Sequence, residues 1–264
     1  MSYAVLPLSD WQNILDSVRA KTGKSDKLVS GEVASEINGI VGDSGRRAMM
    51  AAIQNYGERC EYPYAFRNWR SDIFYPVYDI KPRYSPTQAG DTVTATQMFL
   101  GMHGSEPFDL AQRLEECGVK LDTSECNVFS YAFQSSNIMR VPEIDTRNMP
   151  SVVSIFNSAY ELVTIDNLIL KDDGSQDCTL LFGYIKKLAN IKITGVFGKD
   201  VNLQWTTVLS RASIESVINA LSATATGQTL TLSKTAVNAA FGSTATADWQ
   251  ALKASKSNWT ISLV

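Results

Sequence analysis

Four stretches of the chain decide the predicted fold: FDLAQRLEECGVKL (108–121), FQSSNIMRVPEID (133–145), FNSAYELVTIDNLIL (156–170) and FGYIKKLANIKITG (182–195). Each begins with a phenylalanine, continues through a turn and ends in a short run in which apolar residues alternate. The four phenylalanines are 25, 23 and 26 positions apart. A period of this length indicates a leucine-rich-repeat-like solenoid, in which every unit contributes one strand and stacks on its neighbours.

The C-terminal residues 201–264 are predicted to seal the open end of this solenoid with helices and strands. Ser210 is a good N-cap, and the apolar residues that follow it lie on one helical face. Strands are predicted at 229–232 and 258–263, and a further helix at about 234–241. These units would cover an edge strand that otherwise invites aggregation.

Residues 1–42 predict a separate helical unit. Two short amphipathic helices follow from the spacing of the apolar residues, and helices of this size bury too little surface to be stable alone. We therefore expect them to dock on another protein or to oligomerise. The residues expected to form this surface are Trp11, Ile14, Leu15, Val18, Val33, Ile37 and Ile40.

Residues 43–107 are predicted to hold a linker, an aromatic-rich first repeat and a loop. The aromatic residues between positions 56 and 84 allow three interpretations: the core of a first repeat, a subunit interface or a contact with a glycan. The residues considered for an interface or a glycan contact are Tyr62, Tyr64, Arg67, Trp69, Arg70, Tyr75, Tyr78 and Tyr84.

Composition weakens most other functional classes. The formal net charge is −3, which argues against a dedicated nucleic-acid binder. His103 is the single histidine, the four cysteines lack zinc-knuckle or redox spacing, and Glu115 and Glu116 are consecutive, so their side chains diverge. We expect no enzyme activity, no cofactor and no metal. No apolar run is long enough to cross a membrane and no signal peptide is recognisable, so we expect no membrane insertion.

The segment from Asp10 to Ile40, with ILDSVRAKTGKSDKL (14–28) at its centre, resembles an N-terminal element common in tail, baseplate and fibre proteins of bacteriophages. The repeats, with Tyr131-Ala132-Phe133, are similar to leucine-rich repeats of the bacterial surface-antigen type. The segment from Ser210 to the last strand is similar to the C-terminal end of many such phage proteins. The resemblance implies a virion protein that is assembled in the host cytoplasm and mounted on the exterior of the particle.

The resulting prediction is an α+β protein with four parts. These are a helical attachment unit (1–42), the linker and aromatic region (43–107), the leucine-rich-repeat-like solenoid (108–200) and the helix-containing C-terminal cap (201–264). The expected function is that of a phage structural protein of the tail, baseplate or fibre that contributes to host attachment. The expected partners are further copies of the chain as a homotrimer, other virion proteins and a host-surface glycan or protein. The alternatives are a head fibre or decoration protein and a bacterial leucine-rich-repeat adhesin.

Overall fold

The computed structural model describes residues 66–69, 74–76, 78–82 and 96–264. Its helices and strands all lie in the last of these ranges. In chain order they are β1 Phe108–Asp109, α1 Leu110–Cys117, β2 Ile138–Val141, β3 Ile144–Asp145, β4 Thr164–Ile169, β5 Asn190–Thr194, β6 Val201–Leu203, α2 Arg211–Asn219, β7 Thr229–Leu232, α3 Lys234–Phe241, α4 Ala247–Ala254 and β8 Thr260–Leu263.

The first sheet is built around β4. On one side β4 pairs with β2 and then with β3, and on the other side it pairs with β5, while β1 pairs with the outer edge of β2. All these pairs are parallel. Pro142 separates β2 from β3 because proline has no N–H to offer to the ladder. In β5 the side chains alternate between exposed and buried, as expected of a strand with one face on a core.

The predicted fold class is wrong. The described chain forms a mostly parallel, curled half-barrel sheet with few helices, and not a leucine-rich-repeat-like solenoid with its C-terminal cap. The helical unit predicted over residues 1–42 lies outside the described residues. The sequence period did identify strands that pair, since Arg140 pairs with Thr164 and Ile165 with Ile191. A period does not specify curvature, however. The ladder shifts register between Ile165 and Leu168, and such bulges bend a strand and increase its twist.

A stack of phenylalanine rings runs through the core beside this sheet. The centroids of successive rings are 5.4, 5.1, 5.6 and 6.2 Å apart, and the ring planes are within 20° of parallel. All five side chains are almost fully buried. The rings that form the stack are Phe66, Phe99, Phe133, Phe156 and Phe182.

Phe108 is not part of this stack, contrary to the prediction that it begins the first repeat. Phe108 lies in β1 and contacts Phe74 edge-on at 5.9 Å, while Phe99 occupies the stack position. Phe99 and Phe133 are 34 positions apart in the sequence. The segment between Phe99 and Phe133 is longer than the other repeats because it contains β1 and α1. A constant repeat length in the sequence therefore does not identify Phe99 as a member of the stack.

The C-terminal residues form a second, three-stranded parallel sheet in the order β6-β7-β8. The predicted helix after Ser210 is confirmed, and Ser210 caps it by accepting a hydrogen bond from the Ser213 N–H. The predicted strand at 229–232 and helix at 234–241 are confirmed as well. The prediction of a last strand is also correct, and it is the edge strand β8.

Helix α2 covers the edge of β5. The Ile191 N–H donates to Ser213 Oγ at 2.9 Å, and the Ile193 N–H donates to Ser216 Oγ at 2.8 Å. Two backbone groups of β5 therefore bond to the helix instead of remaining open to another strand. The docking surface predicted for residues 1–42, from Trp11 to Ile40, lies outside the described residues.

Candidate functional site

Two columns of residues with left-handed backbone conformations flank the phenylalanine stack. Their φ angles lie between 53° and 63°. One column consists of the residues two positions before a stacked phenylalanine: Gln97, Tyr131, Ser154 and Leu180. The other consists of the residues two positions after it: Asn68, Gly101, Ser135, Ser158 and Tyr184. We call the two columns together the turn face.

Hydrogen bonds between successive segments hold these conformations in place. The Ser135 N–H donates to the Asn157 carbonyl at 3.2 Å, and the Ser158 N–H donates to the Gly183 carbonyl at 2.8 Å. In the other column the Ser154 N–H donates to the Thr179 carbonyl at 3.1 Å. These hydrogen bonds tie the left-handed residues to the next segment of the repeat and satisfy their backbone N–H groups.

Three residues of the turn face are bulky side chains in a conformation that favours other residues. A left-handed backbone costs an ordinary residue about 1–2 kcal/mol, and glycine or asparagine avoids much of this cost. Tyr131, Leu180 and Tyr184 nevertheless occupy such positions, and all three side chains are exposed. Between about a third and a half of each residue remains in water, and exposed side chains at strained backbone positions are candidates for binding.

Tyr184 and Trp205 form a stacked pair on this surface. Their ring centroids are 5.2 Å apart and their planes differ by 28°. Tyr184 is 48% exposed and Trp205 is 38% exposed. The pair thus presents part of two stacked aromatic rings to solvent, which makes it a candidate interaction site.

A cleft of about 810 Å³ lies next to α1 and the outer side of β3. Five carboxylate residues and two lysines line it: Asp79, Lys81, Glu115, Lys120, Asp122, Glu143 and Asp145. Hydrogen bonds from Ser124 and Lys81 lower the pKa of Asp122 to about 2. Burial alone would raise the pKa of Asp145, but its hydrogen bonds with Arg147 outweigh this effect and lower it.

These two carboxyl groups are therefore ionised near neutral pH. A general acid needs a raised pKa to donate a proton at that pH, and Asp122 and Asp145 have the opposite property. Within the described ranges, no cluster of three or more histidine, cysteine, aspartate or glutamate residues has the geometry to hold a metal ion. The described part of the chain also contains no helix that is both long and apolar enough to cross a membrane.

The described members of the predicted aromatic cluster do not share one surface role. Trp69 packs edge-on against Phe66 at 6.3 Å, and the Arg113 guanidinium lies 4.0 Å above the centre of the Tyr75 ring. Arg67 and Tyr78 are exposed. The other four candidates, Tyr62, Tyr64, Arg70 and Tyr84, lie outside the described residues.

Sequence reasoning missed Tyr131, Leu180, Tyr184 and Trp205 as candidate site residues. The sequence contained a sign of three of them: Tyr131, Leu180 and Tyr184 each lie two positions from a repeat phenylalanine. At the equivalent positions other repeats have a small polar residue, namely Ser135, Ser154 or Ser158. Only the structure shows that these positions are left-handed and exposed. Nothing in the repeat pattern places Trp205 beside Tyr184.

The comparisons with known proteins found no match: no family model, no curated protein and no solved structure is similar to this chain.

Proposed function

We propose that this chain is a structural protein of a bacteriophage virion, belonging to the tail, baseplate or fibre, and that its turn face points outward and contributes to attachment to the host surface. It would be assembled in the host cytoplasm and would act by binding, without catalysis. The resemblance of residues 10–40 and of the C-terminal segment to phage tail and fibre proteins supports the virion assignment.

The single observation that carries the binding role is the set of bulky exposed residues held in left-handed conformations. Tyr131, Leu180 and Tyr184 stand beside a continuous stack of buried rings, so their backbone is held in place before any ligand arrives. Binding to a preorganised surface avoids most of the entropy lost when flexible groups become ordered. Such a surface suits a protein that must adhere without changing shape.

The first test is the location of the chain. Phage particles released by cells that encode it are expected to contain the full-length chain after density-gradient purification, as detected by mass spectrometry. Immunogold electron microscopy should place it on the tail, baseplate or fibre. A host cytosolic protein mixed with the lysate before purification is the control for carry-over.

Two outcomes would contradict this assignment. Gold label confined to the capsid would replace the tail assignment with a head fibre or decoration protein. Absence from purified particles would overturn the virion proposal and favour a binding protein of the bacterium itself.

The second test concerns self-assembly through residues 1–42. We expect the full-length chain to be a homotrimer and the double variant Ile14→Asp/Ile37→Asp to be a monomer, because a charge on each predicted apolar face opposes its burial. Light scattering after size-exclusion chromatography measures both masses. Asn13→Asp, on the predicted polar face of the first helix, is the matched control and should remain trimeric. A monomeric wild-type chain would contradict self-assembly and would leave other virion proteins as the partners of this unit.

A further inference from the structure

We propose that Tyr184 and Trp205 form a stacking platform for a saccharide ring. The inference deepens the attachment role and rests on the proposed function, since it names the chemical class that the turn face would bind. It is carried by the geometry of the pair, by the strain at Tyr184 and by the size of the exposed apolar surface.

The two rings are held in position by buried neighbours on both chain segments. Tyr184 lies between Gly183 and Ile185, which are both buried, and the Gly183 N–H donates to the Leu180 carbonyl at 3.0 Å. Trp205 lies between β6 and the fully buried Thr206, whose N–H donates to the Leu203 carbonyl at 3.1 Å. The platform therefore exists before the ligand binds, and little ordering is required of it.

The backbone strain at Tyr184 favours a binding role for its side chain. Its φ of 59° is a conformation that serine adopts at the equivalent position Ser158 and glycine at Gly101. A tyrosine there has an unfavourable backbone and leaves half of its surface in water. Stacking on Trp205 offsets part of this cost, and a saccharide ring that stacks on the exposed part of Tyr184 would add to that gain.

The exposed area fits a sugar ring better than a protein partner. A tyrosine or tryptophan offers about 150–250 Å² when fully buried, so the exposed parts of this pair amount to roughly 100 Å² each. The two rings together therefore expose roughly 200 Å². A stable protein interface needs about 800 Å² from each partner.

The chemistry of the pair also fits a saccharide. One face of a pyranose carries mainly C–H groups and can lie flat on an aromatic ring, while its rim carries hydroxyl groups. The Tyr184 hydroxyl and the Trp205 indole N–H are polar groups on otherwise apolar rings.

The test uses the full-length chain and a panel of short oligosaccharides made of neutral hexoses, N-acetylhexosamines or uronic acids. Binding is followed by tryptophan fluorescence and by isothermal titration calorimetry. We expect at least one member of the panel to bind, and we expect Tyr184→Asn and Trp205→Ser each to weaken that binding about tenfold or more. Tyr160→Asn is the matched control, because Tyr160 is 55% exposed and belongs to neither the pair nor the left-handed columns.

Tyr184→Asn also separates lost binding from lost folding. Asparagine tolerates the left-handed conformation better than tyrosine, and this gain of about 1–2 kcal/mol offsets the lost stacking on Trp205, so the variant should unfold at nearly the same temperature as the wild type. Weaker binding by a chain of unchanged stability would support the platform. The proposal is overturned if no oligosaccharide of the panel binds, or if Tyr160→Asn weakens binding as much as Tyr184→Asn does.

The result is independent of the location experiment. If the chain is present on particles but binds no oligosaccharide, the saccharide inference fails and the virion role stands. If oligosaccharide binding depends on Tyr184 and Trp205 but the chain is absent from particles, the platform stands and the virion role fails.

Discussion

Replacing Phe133 with alanine is expected to lower the free energy of unfolding by about 4 kcal/mol. The Phe133 ring is completely buried and stacks between Phe99 and Phe156, at 5.1 and 5.6 Å. It also meets Phe129 edge-on at 5.6 Å. Alanine removes all three ring contacts and leaves a cavity in the middle of the stack, where neighbours joined by backbone hydrogen bonds can relax only partly. Urea unfolding followed by circular dichroism measures the loss.

Two further variants test whether the loss of stability in Phe133→Ala comes from the buried ring. Phe133→Leu keeps most of the volume and should cost less than half as much. Tyr131→Asn removes an aromatic ring two positions away from an exposed, left-handed site and should leave stability unchanged or slightly raised. The ring stack would not be the centre of the core if Phe133→Ala cost less than about 1 kcal/mol, the typical effect of an ordinary substitution.

The second large effect is expected at Gly195. A Cβ atom there would lie 2.2 Å from the Leu170 carbonyl oxygen and 2.8 Å from the Leu170 carbonyl carbon, with φ at +89°. The neighbouring backbone cannot move away easily, because the Leu170 N–H donates to the Thr194 carbonyl and the Val196 N–H donates to the Lys171 carbonyl. Gly195→Ala is therefore expected to cost about 3 kcal/mol or more, as measured by thermal and urea unfolding.

Gly227→Ala is the matched control for this substitution. Gly227 has a similarly left-handed φ of +73°, but a Cβ atom there would have no neighbour within 4 Å. It should cost only about 1 kcal/mol, the price of the backbone conformation alone. Equal losses at both glycines would show that the close approach of Leu170 to Gly195 contributes nothing to the effect.

The contrast between residues 108–200 and 201–264 shows how far sequence reasoning reaches. In the C-terminal part, the Ser210 cap and the alternation in 229–232 predicted elements that the structure contains, because caps and alternation act within a few residues. In the repeats, a regular period predicted a solenoid, and the sheet is a curled half-barrel instead. Curvature depends on bulges and on insertions such as α1, which no single repeat reveals.

The candidate site also could not be predicted from patterns within a short stretch of sequence. Aromatic residues are concentrated between positions 56 and 84, yet Trp69 packs against Phe66 of the same stretch and Tyr75 against Arg113. Tyr184 and Trp205 are isolated in the sequence and adjacent in space. Composition within a window cannot detect a pair of residues that only the tertiary fold brings together.

The sequence by itself determined the local elements of this protein: the capped helix after Ser210, the strands of alternating residues and the offset of 26 positions at which Ile165 in β4 pairs with Ile191 in β5. Hydrogen bonds, side-chain spacing and burial over a few residues are sufficient for these features. Only the tertiary structure decided that Phe99 completes the ring stack, that the sheet curls, and that Tyr184, with its left-handed backbone, stacks on Trp205. Those features depend on contacts between residues far apart in the chain. Such contacts form, and stabilise the structure, only when the chain has folded.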